Sequence, residues 1–419
     1  MNKVIQYLFL ILYPFYPLWA FLVYSMTKRH VGLFTIVVFI PVVIYYLITK
    51  KVRVPTYLVL FMLFTAYHFG SILVNNLIPP NINLIFYILS DVNLLACIVL
   101  FVVENTDFED WFIEMMNKFI FLILMISLVV SIIQIKFVTF FVSPEITQNP
   151  ATLTYIEQHR NFSIFSWINI NSLGVTFPIL ISILLSFTGK SKQPTPIIIL
   201  SGIIVSFLTK ARYVMISTII VISQLFFGKK VELRRKIYLI LLIIALFSLL
   251  IILANAYNYD IQQVVANRIF EKRTGGQSAG ARIASYYVFL EVFPSHPIFG
   301  VGPQTGYDVL QMLRGITTNI HIGYLSYLYF YGIFGFMFLL GSLFFLLKNS
   351  RKVGIAHSYW GSFYGFLSFC FANATFTYFS FHEVGIILSV VYLKHYLDKT
   401  NKQEVSTPKL QDSELLSIQ

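Results

Sequence analysis

Charged residues are scarce in this chain of 419 residues: Asp, Glu, Lys and Arg together make up only 11% of it. A soluble domain carries about 25% charged residues. Hydrophobic residues make up 57%, so the chain has too few polar side chains to cover a water-exposed surface of its size. We therefore expect lipid to cover much of the protein, which excludes an ordinary soluble enzyme or binding module.

Cysteine is also nearly absent. Cys97 and Cys370 are the two in the chain, and both lie in apolar segments. Two such residues offer neither a disulfide framework nor metal-ligand spacing, so we expect small buried side chains. The sequence contains no phosphate-binding Gly-rich loop, no Gly-x-Ser-x-Gly and no His-Glu-x-x-His motif. The stretch from His296 to Gly302 is rich in glycine but does not join a strand to a helix, which excludes dinucleotide binding.

The net charge of +12 does not indicate nucleic acid as a partner. The basic residues form short clusters between apolar runs, which is how a membrane protein sets its orientation. No basic patch with interleaved aromatics stands apart from those runs.

Long apolar runs dominate the chain, and about 20 such residues cross a hydrocarbon core as a helix. They predict an all-α, polytopic membrane protein with about twelve transmembrane helices in one domain over residues 1–397. The first run is interpreted as a retained helix, because no small-residue cleavage pattern follows it. The predicted spans are 4–26, 31–48, 55–77, 83–103, 118–140, 172–188, 194–209, 213–228, 237–256, 321–347, 354–374 and 382–397.

Basic clusters after the second, sixth, eighth and tenth spans fall on one side of the membrane if the spans alternate. The positive-inside rule makes that side the cytoplasm and places both termini there; Lys28 and Arg29 are an exception. The long loops at about 141–171 and 257–320 then lie outside, the larger one between spans nine and ten. Within it, Ile283 to Phe293 predicts an amphipathic surface helix ended by Pro294. Residues 398–419 are expected to form a polar, disordered cytoplasmic tail.

Cations are unusual on an outer face, yet this one is predicted to carry several. They are interpreted either as interfacial anchors or as an anion site, since guanidinium groups bind phosphate oxygens in a bidentate way. The group comprises Arg160, Lys210, Arg212, Arg268, Lys272, Arg273 and Arg282.

Four polar residues inside or beside the spans are further candidates. His321 opens the tenth span and is either a capping group or a base for a hydroxyl proton. Asp91 and Asn93 lie inside the predicted fourth span, and Glu383 lies near the start of the twelfth. Such residues usually face a cavity or a partner, because a charge in the bilayer centre is costly.

The region from Arg282 to Gly335 resembles the O-antigen ligase and polymerase (Wzy-type) family of multi-pass membrane glycosyltransferases. The likeness is carried by Arg282 ahead of a Pro-x-x-Gly-x-Gly turn, by a histidine that opens a span, and by two later glycines. The residues are Pro297, Gly300 and Gly302, then Gly306 and Tyr307, then His321, Tyr324 and Leu325, then Gly332 and Gly335. Many family members have Asn after the histidine, whereas this chain has Ile322. Arg160, Asn171 and the segment from Thr209 to Arg212 resemble upstream family positions.

This resemblance implies transfer of a glycan from a polyprenyl (undecaprenyl) pyrophosphate to an acceptor hydroxyl, without metal, cofactor or nucleotide sugar. The expected place is the outer face of the bacterial inner membrane. His321 would be the base; Arg160, Arg212 and Arg282 would stabilise the leaving pyrophosphate, with Lys210, Asn171 and Arg273 as further substrate-binding residues. Membrane lipid is an expected partner, and a chain-length regulator is one that the resemblance allows.

A repeat-unit polymerase is the first interpretation, because the outer loop before the tenth span is elaborate and Asn is missing after His321. The O-antigen ligase, which delivers finished glycan to the lipid A core, shares these motifs and is the nearest alternative. A lipid-linked oligosaccharide flippase or other transporter is the alternative from another class. No pair of related halves is evident in the sequence, and cations in outer loops fit a transporter less well.

Overall fold

The computed structural model describes residues 2–27, 32–49, 52–74, 88, 91–142, 163–164, 172–187, 195–209, 211–227, 237–238, 241, 244–245, 248, 286–303, 320, 322–374 and 381–406. All regular secondary structure in these ranges is helical. The helices are α1 (Asn2–Leu12), α2 (Tyr16–Thr27), α3 (Gly32–Thr49), α4 (Thr56–Val74), α5 (Val92–Asn105), α6 (Asp110–Lys136), α7 (Ser172–Ser186), α8 (Thr195–Leu208), α9 (Arg212–Phe227), α10 (286–292), α11 (Gly323–His357), α12 (Gly361–Ala374) and α13 (Val384–Ser406).

Three of the described helices, α4, α6 and α11, are long and apolar enough to cross a membrane. The pair α1 and α2 makes a fourth if it counts as one bent span, and α5, α7, α8 and α9 are shorter apolar helices. The all-helical, apolar architecture confirms the class of fold predicted from the sequence. The number of spans and their orientation remain predictions.

Helix α7 is the centre of the bundle. Every residue from Leu173 to Phe187 is buried, so this helix is surrounded by protein on all sides. A helix that is apolar all round suits either the interior of a protein or a membrane, and α7 lies in the interior of the bundle. It lies against α9, α12 and α13, and its Ser182 hydroxyl donates to the Gly361 carbonyl of α12 at 2.8 Å.

Contacts between helices define two ends of the bundle. At the charged end, Tyr57 donates to Glu104 at 2.7 Å, Arg53 pairs with Asp398, and Lys399 pairs with Asp110. The opposite end, called the site end below, holds the first residues of α5, α7, α9, α11 and α13. Helices α4 to α9 therefore run in alternating directions, and so do α11 to α13.

The first predicted span, 4–26, is not one helix. Helices α1 and α2 meet at an angle of 72° across residues 13–15. Pro14 lies in this turn and Pro17 in the first turn of α2, and proline provides no backbone N–H for a continuous helix. The indole Nε1 of Trp19 donates to the Leu12 carbonyl at 2.8 Å, so it satisfies one acceptor at the end of α1.

Other boundaries also differ from the predicted ones. Helix α6 begins at Asp110, eight residues before the predicted span, because its first turns lie at the polar charged end. Helix α13 continues to Ser406, so residues 398–406 of the predicted disordered tail are helical. Their charges are held by partners: Asp398 pairs with Lys394 and Lys399 with Asp110. Residues 407–419, most of the predicted ninth span and most of both predicted outer loops lie outside the described residues.

Candidate functional site

Helix α11 is interrupted at Gly332, which has φ 62° and ψ −175° inside an otherwise continuous helix of 35 residues. The turn at residues 296–303 fits into this break. The Gly302 amide donates to the Phe330 carbonyl at 2.8 Å, and the amides of Ile333 and Phe334 donate to the carbonyls of Pro297 and Ile298 at 2.8 and 3.1 Å. The turn thus supplies partners that the interrupted helix cannot provide itself. Non-helical backbone at membrane depth is tolerated where protein surrounds it in this way.

Two glycines make this close approach possible. A Cβ atom at Gly332 would lie 2.2 Å from the Ile298 carbonyl oxygen, and one at Gly300 would lie 2.4 Å from the Phe330 carbonyl oxygen. Gly300 also has a positive φ of 70°. Both the contact and the backbone conformation therefore require glycine. The two motifs that the sequence shows 30 residues apart form one interlocked unit, called the glycine clasp below (residues 296–303 and 329–335).

Helix α4 supports the clasp from the side. Gly335 faces the ring of Tyr67, where an added Cβ would lie 2.6 Å from a ring carbon. The Tyr67 hydroxyl then donates to the Phe299 carbonyl at 2.6 Å. One tyrosine of α4 therefore contacts both the turn and the helix of the clasp, which explains the second glycine of the motif.

The surface helix predicted at Ile283–Phe293 is observed as α10 over 286–292, followed by a 3-10 turn at Phe293–Ser295. Its Val288, Phe289 and Val292 are buried together with Ile320 and Tyr329. Ile320 directly precedes His321 in the chain, and Ile322 is the N-cap of α11. The residues on both sides of His321 are thus anchored, the first against α10 and the second at the start of α11.

A buried polar network lies beside the clasp. His68 of α4 makes two hydrogen bonds, one between Nδ1 and the Tyr331 hydroxyl at 2.8 Å and one between Nε2 and Asp91 Oδ2 at 2.9 Å. The other oxygen of Asp91 accepts from the amides of Asn93 and Leu94 at 2.8 and 3.1 Å. Asp91 is therefore the N-cap of α5. A capped and paired carboxylate avoids the cost of an isolated charge in apolar surroundings.

Several helices begin close together at the site end. Gly174 in the first turn of α7 lies against the ring of Tyr213, the second residue of α9, closely enough that an added Cβ would overlap it. Thr176 of α7 donates to Glu383 Oε2 at 3.2 Å, directly before α13. Tyr324 in the first turn of α11 donates to the Cys370 carbonyl of α12 at 2.7 Å. Helix starts carry partial positive charge from their unpaired N–H groups, which favours anions nearby.

Of the predicted site residues, Arg212 is described. It is the first residue of α9, half-buried, at the point where the starts of α7 and α9 meet. The base candidate and the remaining binding candidates lie outside the described residues: His321, Arg160, Arg282, Lys210, Asn171 and Arg273. Three of these are next to described neighbours, because Asn171 precedes α7, Lys210 precedes Ala211, and His321 precedes Ile322.

The first predicted outer loop is anchored at Ser163, three residues after Arg160. The Ser163 amide donates to Gln134 Oε1 of α6 at 2.8 Å, and the Ser163 hydroxyl bonds to that of Ser127. Ile164 beside it is fully buried. This segment of the loop therefore packs against the bundle and is not exposed to solvent.

Sequence reasoning missed His68 and Tyr331 as partners of Asp91. No spacing in the sequence connects His68 with Tyr331, 263 residues later. The available signal was the presence of three polar residues in apolar runs, which need partners. Within the described residues, no group of three or more His, Cys, Asp or Glu side chains has the arrangement of a metal site.

Fold and site together define a helical membrane protein with an interrupted helix clasped by a glycine turn. Residues 196–340 match the family model Wzy_C, described as O-antigen ligase. This match confirms the resemblance and supports the O-antigen ligase/polymerase family for this chain. The matched region contains the whole clasp and the candidates Arg212, Arg282 and His321, whereas Arg160 and Asn171 precede it. No curated protein matches the chain.

Proposed function

We propose that the protein is a polysaccharide polymerase of the bacterial inner membrane, with its active face outward. It would transfer glycan from a polyprenyl-pyrophosphate donor to the hydroxyl of an acceptor sugar. The observation that carries this proposal is the family match over a region whose interrupted helix, held by the glycine clasp, begins two residues after His321. Rigid support on both sides of a catalytic residue is what general base catalysis requires.

The proposed reaction is a displacement at the anomeric carbon of the donor. The acceptor oxygen forms a bond to that carbon while the bond from the carbon to the pyrophosphate oxygen breaks. The acceptor proton passes to the neutral imidazole of His321, and the bonding electron pair leaves with the pyrophosphate. The leaving group needs no proton from the protein, but its growing charge needs stabilisation.

Arg160, Arg212 and Arg282 are proposed to provide that stabilisation, with Lys210, Asn171 and Arg273 binding the rest of the substrate. The placement of Arg212 supports its role, because α9 starts beside the first turn of α7. There the guanidinium group and the helix starts both favour an anion. The polyprenyl chain would lie in the surrounding lipid.

The O-antigen ligase is the closest alternative, and it uses the same donor and the same kind of displacement. The argument for a polymerase rests on the elaborate outer loop and on Ile322, where many family members have Asn. A lipid-linked oligosaccharide transporter is the alternative of another class. Interrupted helices are common in transporters, so the break in α11 does not distinguish a glycosyltransferase from a transporter. An experiment is needed to decide between them.

The test is complementation of a strain that lacks this gene with wild type or His321→Ala, with surface polysaccharide run on a gel. If the protein is a polymerase with His321 as base, the well-inserted variant yields single repeat units only. Long glycan left on the polyprenyl carrier would assign the ligase function instead. Normal ladders with His321→Ala would remove His321 from the mechanism and favour the transporter.

His296→Ala is the matched control, because this exposed histidine lies in the same part of the chain and its backbone contacts would persist. Membrane levels of each variant are measured by immunoblot. The same gel reports the modal chain length, which a chain-length regulator would set.

The anion role of Arg212 is tested separately in a purified system with lipid-pyrophosphate-linked repeat unit. We expect Arg212→Ala to lower turnover about 100-fold or more, and Arg212→Lys to recover only part of it, because lysine cannot bind two oxygens in a bidentate way. Arg351→Ala is the control, since Arg351 is exposed on α11 far along from the site end. Equal activity of Arg212→Ala and the control would contradict the role.

A further inference from the structure

The network of His68, Asp91 and Tyr331 joins three helices at one point. Tyr331 is the last residue of α11 before the break at Gly332, His68 lies in the final third of α4, and Asp91 caps α5. His68 is 6% exposed and Tyr331 is 4% exposed, so water does not replace these hydrogen bonds easily.

The hydrogen-bond pattern gives the network a direction. The Asp91 carboxylate can only accept, so Nε2 of His68 donates to it. In the neutral imidazole Nδ1 is then an acceptor, and the Tyr331 hydroxyl donates to it at 2.8 Å. Asp91 is itself fixed by two backbone amides of α5. The orientation of the Tyr331 side chain is thus set by a helix start on the far side of His68.

Tyr331 occupies the position that controls the first part of α11. Residues 323–331 are separated from the rest of the helix by the non-helical backbone of Gly332, and the amides of Ile333 and Phe334 bond to the turn at 296–303 instead of to the preceding turn of the helix. The clasp holds Tyr329 and Phe330 through their carbonyls. The side chain of Tyr331 adds the lateral attachment to α4 and α5, and this short segment begins two residues after His321.

We propose that His68 is a positioning residue for the transfer reaction: together with Asp91 it holds Tyr331, and thereby the 323–331 segment that follows His321. This inference rests on the proposed function, because it assumes that His321 meets the acceptor hydroxyl. A displacement of about 1 Å at a reacting group can lower a rate 100-fold even when its cause is distant from the chemistry. The network therefore acts on turnover and not on donor binding.

The main variant is Tyr331→Phe, which keeps the ring and removes only the hydroxyl that donates to His68. With purified protein and lipid-pyrophosphate-linked repeat unit, we expect kcat to fall about 10- to 100-fold. The KM for the donor stays within about twofold, because no cation of the proposed anion site is changed. Tyr57→Phe is the matched control: the same substitution removes a buried hydroxyl that donates to Glu104 at 2.7 Å at the charged end, and it leaves kcat within about twofold of wild type.

A double-mutant cycle tests whether the residues act as one unit. We expect His68→Phe and Tyr331→Phe each to lower kcat. The kcat of the double variant should be no lower than that of the less active single variant. Independent effects that multiply in the double variant would overturn the proposal. All values are normalised to folded protein, measured as the monodisperse fraction in size-exclusion chromatography.

A merely structural role predicts a different result. In that case Tyr331→Phe lowers Tm but leaves kcat per folded molecule at the wild-type value, which would overturn the proposal. His321→Ala distinguishes a failure of the positioning role from a failure of the proposed function. If it abolishes turnover while Tyr331→Phe does not lower kcat, only the positioning role is wrong; if His321→Ala is fully active, the proposed function itself is wrong.

Discussion

At the residue scale, Gly332 is the position where an added methyl group should do most harm. Its φ and ψ values lie in a region that other residues rarely adopt, and a Cβ would lie 2.2 Å from the Ile298 carbonyl oxygen. We expect Gly332→Ala to destabilise the protein by about 3 kcal/mol or more, from backbone strain plus overpacking. Thermal unfolding in detergent would show this as a lower Tm.

Gly70→Ala provides the control for that prediction. Gly70 lies within α4, and nothing is within 4 Å of the place where its Cβ would be. Alanine is favoured over glycine inside a helix by about 0.5–1 kcal/mol, so this variant should be at least as stable as wild type. A similar loss of Tm in both variants would mean that the clasp does not depend on Gly332.

Ile322 gives a prediction of the opposite sign. It is the N-cap of α11, with extended backbone and without a hydrogen bond from its side chain to the first turn. Asparagine at this position can accept from a backbone amide in the first turn of the helix, so Ile322→Asn should stabilise the protein by about 1 kcal/mol. Ile322→Val, which changes the volume but adds no acceptor, should not. An unchanged or lower Tm for Ile322→Asn alone would show that packing of Ile322 outweighs the cap.

At the scale of elements, α13 shows how a charged segment remains helical beyond an apolar core. Lys394 is buried and pairs with Asp398 one turn later. Asp398→Asn would leave a buried ammonium group without a carboxylate partner on its own helix. We expect a loss of about 2 kcal/mol, below the 3–5 kcal/mol typical of fully buried pairs because the Asp398 side chain is 19% exposed.

Asp110→Asn is the same substitution at a neighbouring carboxylate with a different environment. Asp110 is 71% exposed, so its contacts with Lys399 and His395 are screened by solvent and should contribute less than about 1 kcal/mol. The comparison is made by thermal unfolding under identical salt conditions. If Asp110→Asn is as damaging as Asp398→Asn, burial is not what makes the Lys394 pair important.

At the scale of the whole molecule, the two ends of the bundle lead to a test of orientation. In a background with Cys97→Ala and Cys370→Ala, single cysteines are introduced as Ser295→Cys near the clasp and Lys402→Cys near the end of α13, both at exposed positions. If the positive-inside prediction is correct, a membrane-impermeant maleimide labels the first in intact cells and the second only after permeabilisation. The reverse pattern would invert the proposed topology and place the site end in the cytoplasm.

Hydropathy and charge by themselves determined that this is an all-helical membrane protein, because lipid-facing helices require long apolar runs whatever their neighbours are. Most described helices start or end within a few residues of the predicted spans. The exceptions have local causes that run counter to hydropathy: Pro14 and Pro17 bend the first span, and paired charges extend α13. The glycine and histidine motifs were also visible in the sequence, and so was the family that the match over 196–340 supports.

Tertiary structure alone decided which of these residues act together. In the sequence Gly300 and Gly332 belong to separate motifs. In the fold their backbones pack against each other so closely that neither position has room for a side chain, so each glycine is required by the presence of the other segment. His68, Asp91 and Tyr331 belong to three different helices. The hydrophobic periodicity of a single helix carries no information about contacts with the other two, so the sequence pattern could not predict this network. Composition determines that a polar group in an apolar segment needs a partner, whereas the packing of the bundle determines which partner it has.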